Sequence, residues 1–530
     1  MQGNKRKENS AVKAISFMMM ITILGKVLGL VREQFFANAF GTASSQGQAF
    51  FVASFLPRTF LDILFASAIS ASFIPVFNSR LEKKGRKEAY RFANNFITII
   101  SIFAIVVTVV AMFFSDAIVG IMGGTYTAET IALSSKLFTI MLPLVVLSVI
   151  AYSLIGILQS LEEFNIPAAM SVVSNGVIIA YYLFFFDKFG IIGLAVTFVI
   201  GWGTQVLIQV PFLYQNGYRY RPVIDFKDPG IKEISVLVLP VMVSTWMQPV
   251  NQLVNTRVAN SVHEEWGVAL GYANNLFTII AGVFVLSVAN VIFTKLSKVS
   301  AHDDDVQFGE TMCATVRSLF YFLTPMMMGF ILLSKPVIRI IYERGEFTPA
   351  STALTSTALV FYSLGIIGYG LQTILSRGFY AQKDGKTPMI MSVIAIGINA
   401  LLSFTLVHRL GIGGLALASS VAINAVAILM LFVMYQRNRQ VLNRKMFKDL
   451  LLICVATSVM GIVIQGVLTM MASVMEYGEM GQLLSIGISV VLAVCVYVLV
   501  TRMFGIDEAK VVFSILRKAT RKLVPAKHEG

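Results

Sequence analysis

Six cations lie inside or at the edges of long apolar stretches of this 530-residue chain. A charged side chain in the middle of a bilayer is costly, so it normally faces a partner of opposite charge or a water-filled cavity. A group of such cations could form a basic patch that holds an anion. The six are Lys26, Arg32, Arg58, Lys136, Arg257 and Arg317.

The first apolar stretch carries its charges at helical spacing. Lys26 lies near its middle and shares a helix face with Glu33, seven residues later, whereas Arg32 points about 120° away. In the next stretch Arg58 and Asp62 have the i, i+4 spacing of an ion pair. Two interpretations stay open, namely neutralised structural pairs and a basic patch in a cavity.

A second polar cluster lies further along the chain, in two later apolar stretches. Amide side chains can form hydrogen bonds between helices or can line a cavity, so both roles stay open. We take as candidate binding residues Gln248, Asn251, Asn255, Arg257 and Asn275.

The composition identifies the elements that must position these residues. Apolar residues make up 56% of the chain and charged residues 13%, against about 25% charged in soluble domains. This excludes a soluble enzyme, and it predicts an all-α polytopic membrane protein. Fourteen transmembrane helices are predicted at 14–38, 48–78, 92–114, 131–158, 165–186, 190–213, 233–256, 267–294, 312–334, 352–376, 388–407, 413–435, 449–472 and 481–501.

The net charge of +14 is distributed unevenly over the connections between these helices. Alternate connections, counted from the N-terminus, contain 31 Lys and Arg residues, and the others contain 5 besides Arg257 at the edge of the seventh span. By the positive-inside rule, both termini are predicted to be cytoplasmic. Nucleic acid is not an expected partner, because most of the cations lie beside membrane spans.

An internal repeat divides the predicted helices into two groups. Segments 126–132, 166–173 and 189–195 recur at 347–353, 387–394 and 410–416, always 221 residues later. The offset corresponds to six spans, so the two copies cross the membrane in the same direction. We predict two parallel six-helix lobes, 1–217 and 218–436, followed by two C-terminal helices and a basic tail in 437–530.

Several motifs resemble the MurJ (MviN) family of lipid II flippases, in the multidrug/oligosaccharidyl-lipid/polysaccharide (MOP) exporter superfamily. The first span resembles the family pattern S-R-V-L-G-x-x-R-D/E, with Lys26 in place of its first arginine and Arg32 as its second. Gln48 and Asn275 stand where the family has an acidic residue and an arginine, and Leu61 stands at another arginine position. Further matches lie at 49–53, 56–57, 73–75, 345–348 and 379–388.

The resemblance implies a flippase that moves an undecaprenyl-pyrophosphate-linked peptidoglycan precursor across the bacterial cytoplasmic membrane by alternating access. The pyrophosphate would be bound by the patch of Lys26, Arg32 and Arg58, with Gln48 and Asp62 nearby. Expected partners are the lipid-linked saccharide, membrane lipids, and a coupling ion or the membrane potential.

Two other classes of protein remain open. One is an exporter of the same superfamily that carries another lipid-linked polysaccharide unit or a small drug. The other is an intramembrane glycan transferase, although the outward connections offer few acid and base residues. No nucleophile motif, cofactor motif or metal-ligand spacing is present, so neither a catalytic site nor a cofactor nor a metal is predicted.

The predicted topology can be tested with reporter fusions. Fusions at Lys84 and Lys445 should report a cytoplasmic location, and a fusion at Glu264 an external one, because the cation-rich connections stay inside. An external signal at Lys84 would invert the topology.

Overall fold

The computed structural model describes residues 2–61, 69–235, 247–300, 305–475, 477–510, 512 and 513. These residues are helical almost throughout and contain no β-strand. The α-helices are α1 (Gln2–Phe40), α2 (Ser45–Ser54), α3 (Ile74–Phe113), α4 (Ser115–Gly123), α5 (Ala128–Met141), α6 (Pro143–Ser160), α7 (Asn165–Phe184), α8 (Phe186–Gln215), α9 (Met247–Val262), α10 (Trp266–Ser300), α11 (Asp305–Tyr342), α12 (Pro349–Ser363), α13 (Ile366–Ala381), α14 (Lys386–Leu410), α15 (Ile412–Arg437), α16 (Arg444–Met470), α17 (Ala472–Met475) and α18 (Glu479–Met503).

The predicted membrane architecture is confirmed. In the described part of the chain, nine helical segments are long and apolar enough to span a bilayer, and α12 with α13, bent by 46°, makes a tenth. These ten coincide with predicted spans 3–6 and 9–14. Predicted spans 1 and 8 lie on α1 and α10, and described portions of spans 2 and 7 are helical too. The total of fourteen stays a prediction.

Two regions differ from simple straight spans. Predicted span 2 begins as α2 and continues as π-helical turns at Phe55–Leu61 and Ile69–Phe73. Pro57 lacks the N–H of a regular helical bond and clashes with the preceding turn, and the wider π-helix accommodates this. The predicted connection 79–91 is helical on both sides of Gly85, whose non-helical backbone (φ 79°, ψ 174°) interrupts α3.

The backbone repeats itself at the offset found in the sequence. Glu162 and Lys383, 221 residues apart, are the two non-glycine residues with positive φ in the described ranges, at 65° and 60°. Thr127 and Thr348, at the same offset, each accept a hydrogen bond from the backbone N–H three residues later. The matching conformations support a parallel repeat, and the lobe boundaries stay a prediction.

Contacts divide the chain into two compact units. The first comprises residues 1–268 with 344–351, and the second comprises 269–343 with 352–530. In the first unit, the segment after α8 is bound to α3. The Arg80 guanidinium pairs with Asp228, and Asn95 exchanges two hydrogen bonds of 2.7 and 2.8 Å with the backbone of Asp225. This segment, which links the predicted lobes, is therefore held against α3.

The second unit contains an ion-pair network centred on Arg317 of α11. Its Nε donates to Glu508 Oε1 at 2.8 Å, and its Nη1 lies 3.4 Å from Asp449 and 3.5 Å from Asp507. Hydrogen bonds from Lys445 and Lys510 lower the pKa of Asp507 to about 2. The network joins α11 to α16 and to the segment after α18. Arg317 is therefore a paired, mostly buried guanidinium.

The α11–α16–α18 contact gives a stability prediction. Arg317→Met should lower the free energy of unfolding by about 3 kcal/mol, because it leaves several carboxylates without their cation. The matched control is Arg339→Met, since Arg339 is about half exposed and pairs with Glu343 one turn away. The control should cost less than about 1 kcal/mol. Thermal melting of the purified variants measures both, and equal melting temperatures would contradict a structural network.

Candidate substrate-binding site

The site is built where α1 approaches α7 closely. A Cβ at Gly25 would lie 3.1 Å from the Ser171 side chain, and one at Gly29 would lie 3.5 Å from Asn175 Nδ2. Small residues four apart on one helix face allow this approach. Asn175 Nδ2 donates to the Gly25 carbonyl at 3.2 Å and thereby fixes the two helices to each other.

Arg32 lies two turns further along α1 and is held from both sides. Its Nη1 donates to Asn175 Oδ1 at 2.8 Å, and its Nη2 donates to Glu33 Oε1 at 2.5 Å. The side chain is 18% exposed, so the guanidinium is only partly in contact with solvent. Asn175 therefore sets the direction of the guanidinium.

Arg58 joins this cluster from the π-helical part of the second predicted span. Its Nη2 lies 3.4 Å from the same Glu33 oxygen that binds Arg32. Both guanidinium groups lie over the ring of Phe198 in α8, at 5.5 Å for Arg32 and 4.8 Å for Arg58. An aromatic face stabilises cations that have lost part of their hydration. Among the described residues, two positive groups thus share one carboxylate.

Two buried polar atoms beside the cluster have no hydrogen-bond partner among the described residues. They are Arg32 Nε and the hydroxyl of Tyr182. Tyr182 stacks on Phe35 of α1, with ring centroids 5.5 Å apart. Buried donors normally have a partner, so these two atoms suit a ligand with oxygen acceptors.

The other predicted residues of this region lie in different surroundings. Lys26 has an exposed side chain and takes no part in the contacts of Arg32 and Arg58 described above. Gln48 is buried, and its Nε2 donates to the carbonyls of Thr42 and Ala43, so it fastens the turn between α1 and α2. Asp62, and with it the predicted Arg58–Asp62 pair, lies outside the described residues.

The polar face of α9 contains the remaining predicted residues of the first unit. Gln248 is exposed and Asn255 is buried. Asn251 Oδ1 and Arg257 Nη1 are buried, and neither has a hydrogen-bond partner within the described ranges. Asn275 belongs to the second unit, in α10, where its side chain is half-buried. These amides and Arg257 remain candidate ligands for an oxygen-rich group.

Sequence reasoning missed Asn175, Tyr182 and Phe198. They lie in predicted spans 5 and 6, more than 140 residues from Arg32, so no local spacing links them to it. A usable signal was present, because Asn175 is an amide with Ser171 one turn before it, inside an apolar span. Within the described ranges, no group of three His, Cys, Asp or Glu side chains is arranged to hold a metal ion.

The fold and this site define a class of protein, a polytopic membrane transporter built from a parallel repeat with a basic cluster buried among its helices. The comparisons with known proteins then give the family. The family profile described as "Lipid II flippase MurJ" matches residues 36–486. The chain therefore belongs to the MurJ lipid II flippase family, whose members are transporters and not enzymes.

Several relatives support this assignment. The probable lipid II flippase MurJ of Buchnera aphidicola (strain APS) is 29% identical, over 87% of this chain and 91% of that protein. That of Vibrio cholerae is 30% identical, over 76% and 78%. The lipid II flippase MurJ of Thermosipho africanus is 29% identical, over 76% and 81%.

Solved structures agree with the fold. The structure titled "Lipid II flippase MurJ, inward closed conformation" is 27% identical, with a TM-score of 0.77 over 92% of this chain and 98% of that one. An inward-facing multidrug resistance MATE transporter of the MOP superfamily is 16% identical, with a TM-score of 0.68 over 79% and 97%. The MATE match shows the shared fold alone.

The shared carboxylate gives a testable coupling. Glu33→Gln should destabilise the protein by about 2 kcal/mol, because two neighbouring guanidinium groups lose their counter-charge. Adding Arg58→Gln should restore part of this loss, with a coupling energy of about 1–3 kcal/mol. Thermal melting of the two single variants and the double variant measures the cycle. Glu82→Gln, on an exposed side chain of α3, is the control. Strictly additive losses would show that Arg58 and Glu33 do not interact.

Proposed function

We propose that this chain moves lipid II from the inner to the outer leaflet of the bacterial cytoplasmic membrane, and that the Arg32–Glu33–Arg58 cluster binds its pyrophosphate. Family membership supports the cargo. The observation that supports the site is a pair of guanidinium groups held by one carboxylate and one aromatic ring, with the Nε of Arg32 still free to donate among the described residues.

The chemistry of the cluster suits a pyrophosphate. A guanidinium presents a planar fork of N–H groups that matches two phosphate oxygens, and such charge-assisted bonds are strong where water is scarce. Asn175 and Phe198 hold the forks in place before the ligand arrives, so little side-chain entropy is lost on binding. Tyr182 adds a hydroxyl that can donate to a phosphate or sugar oxygen.

Transport by alternating access requires two bodies that move about this site. We propose that these are the repeat lobes 1–217 and 218–436, with both termini in the cytoplasm, because the parallel repeat and the distribution of cations support that arrangement. The candidate residues Gln248, Asn251, Asn255 and Arg257, which belong to the same compact unit as the cluster, would then be the second lobe's contribution to binding the headgroup. Asn275 stays a candidate ligand.

The charge of the cargo bears on the source of energy. A membrane potential that is negative inside favours outward movement of an anion, by about 2.3 kcal/mol per charge for each 100 mV. We therefore propose the membrane potential as a driving force, in preference to a coupling ion. A cationic drug is a poor alternative cargo, because Glu33, the carboxylate that the described part of the cluster contains, is already paired with two guanidinium groups.

Substitutions of Arg32 test the proposed anion site. Arg32→Ala should abolish transport while the protein stays inserted, and Arg32→Lys should retain only part of it, because lysine keeps the charge and loses the fork. Lys26→Arg should be tolerated, because it keeps the charge of an exposed side chain outside the contacts of Arg32 and Arg58. Lys188→Ala, which removes an exposed cation outside the cluster, is the matched control.

The assay should follow the cargo and the protein together. Surface exposure of the lipid-linked precursor reports transport, and membrane abundance of each variant reports folding. Depletion of the protein should cause lipid II to accumulate on the inner leaflet. Accumulation of a different lipid-linked sugar would show that this sugar, and not lipid II, is the cargo. Wild-type transport by Arg32→Ala at normal abundance would refute the anion site.

A further inference from the structure

Two turns in the first unit make the same unusual contact. Gly124 and Gly345, 221 residues apart, both have positive φ, at 62° and 55°. The N–H of Thr125 donates to the Asn260 carbonyl at 2.8 Å, and the N–H of Glu346 donates to the Asn38 carbonyl at 3.0 Å. The two contacts are copies of one another, since each joins a glycine turn to the backbone of an asparagine near the end of a helix.

The contacts are reciprocal between the halves of the repeat. The turn of the first half binds Asn260 of the second half, and the turn of the second half binds Asn38 of the first half. Residues 247–268 and 344–351 belong by the repeat to the second half, yet they are part of the compact unit formed with the first half. The contacts therefore bind the halves together at one end of the helices, the end that the charge distribution predicts to be outward.

Glycine is required at both turns for two reasons. Its positive φ is disfavoured for residues with a Cβ. A Cβ at Gly124 would also lie within 3.0 Å of the Asn260 carbonyl, and one at Gly345 within 3.0 Å of the Asn38 carbonyl, closer than real Cβ contacts. The backbones can meet only because these side chains are absent.

Side chains complete both contacts. Thr125 Oγ1 donates to the Asn260 carbonyl at 2.9 Å, and Asn260 Nδ2 donates to the Met122 carbonyl at 2.9 Å. Beside the other turn, buried Thr42 donates to Glu265 Oε2 at 2.9 Å and accepts from Ser351 Oγ at 2.7 Å. These bonds are directional and short in reach, so a small separation of the halves breaks all of them together.

We propose that the Gly124–Asn260 and Gly345–Asn38 contacts form a twin clasp that closes the outward face and must open in every transport cycle. This inference rests on the proposed alternating access. Because the repeat is parallel, its axis along the membrane normal places both halves of the clasp at the same face. Opening is then a single event in which two equivalent contacts break, and its free energy sets the balance between inward-open and outward-open states.

The first test measures the opening without reference to any cargo. In a background that lacks Cys313, Cys454 and Cys495, the buried Ser351→Cys serves as a reporter for a membrane-impermeant maleimide added outside the cell. Gly124→Ala and Gly345→Ala should each speed labelling roughly three- to tenfold, the factor for losing about one net hydrogen bond. Gly190→Ala is the control, because Gly190 also has positive φ but a Cβ there meets nothing within 4 Å. Equal labelling in all three glycine variants, at normal membrane abundance, would overturn the twin clasp.

A second test does not depend on how well the glycine variants fold. The Thr42 and Ser351 oxygens are 2.7 Å apart, so the pair Thr42→Cys and Ser351→Cys is placed to form a disulfide across the clasp. Oxidation should stop surface exposure of the precursor and reduction should restore it, while each single cysteine variant is unaffected by either treatment. Transport that persists with the disulfide formed would refute the clasp. Failure of the chain to move lipid II, with labelling still faster in the alanine variants, would refute the proposed cargo and leave the clasp standing.

Discussion

The carboxylate of Glu33 is the interaction on which the proposed site depends. Two guanidinium groups so close together, and mostly out of water, would repel each other strongly without a shared anion. A single oxygen of Glu33 contacts both and offsets this repulsion, so within the described residues two cations share one anion. The glycines of α1, Asn175 and Phe198 follow from this requirement, because each places or supports one of the three charged groups.

The fold was predictable from the sequence where hydropathy alone decides. Predicted spans 413–435 and 481–501 correspond to helices Ile412–Arg437 and Glu479–Met503, since apolar runs of this length must satisfy their own backbone in a bilayer. The repeat was also predictable, because the two copies share both sequence patterns and backbone conformations. Turn residues such as Glu162 and Lys383 recur with their unusual conformation.

The site was predictable only in part. Charge within an apolar stretch pointed to Arg32 and Arg58, but the described contact of Arg58 is with Glu33, 25 residues away, which no local spacing indicates. The Arg58–Asp62 pair stays a prediction, because Asp62 lies outside the described residues. Helical geometry also separated Arg32 from the face of Glu33, whereas the long arginine side chain folds back to reach its neighbour. Tertiary contacts of this kind leave no periodic trace, so Asn175, Tyr182 and Phe198 could not be assigned from spacing.

The Arg317 network attaches the two helices that follow the repeat to a helix of the repeat itself. Helices α16 and α18 are fastened to α11 by ion pairs and by a hydrogen bond of 2.6 Å from the Tyr497 hydroxyl to the Tyr321 carbonyl. Because these contacts hold α16 and α18 to α11, the three helices are expected to move together when α11 tilts. A hydrocarbon chain that lay along α16 and α18 would therefore move together with α11 and would keep its contacts with these helices.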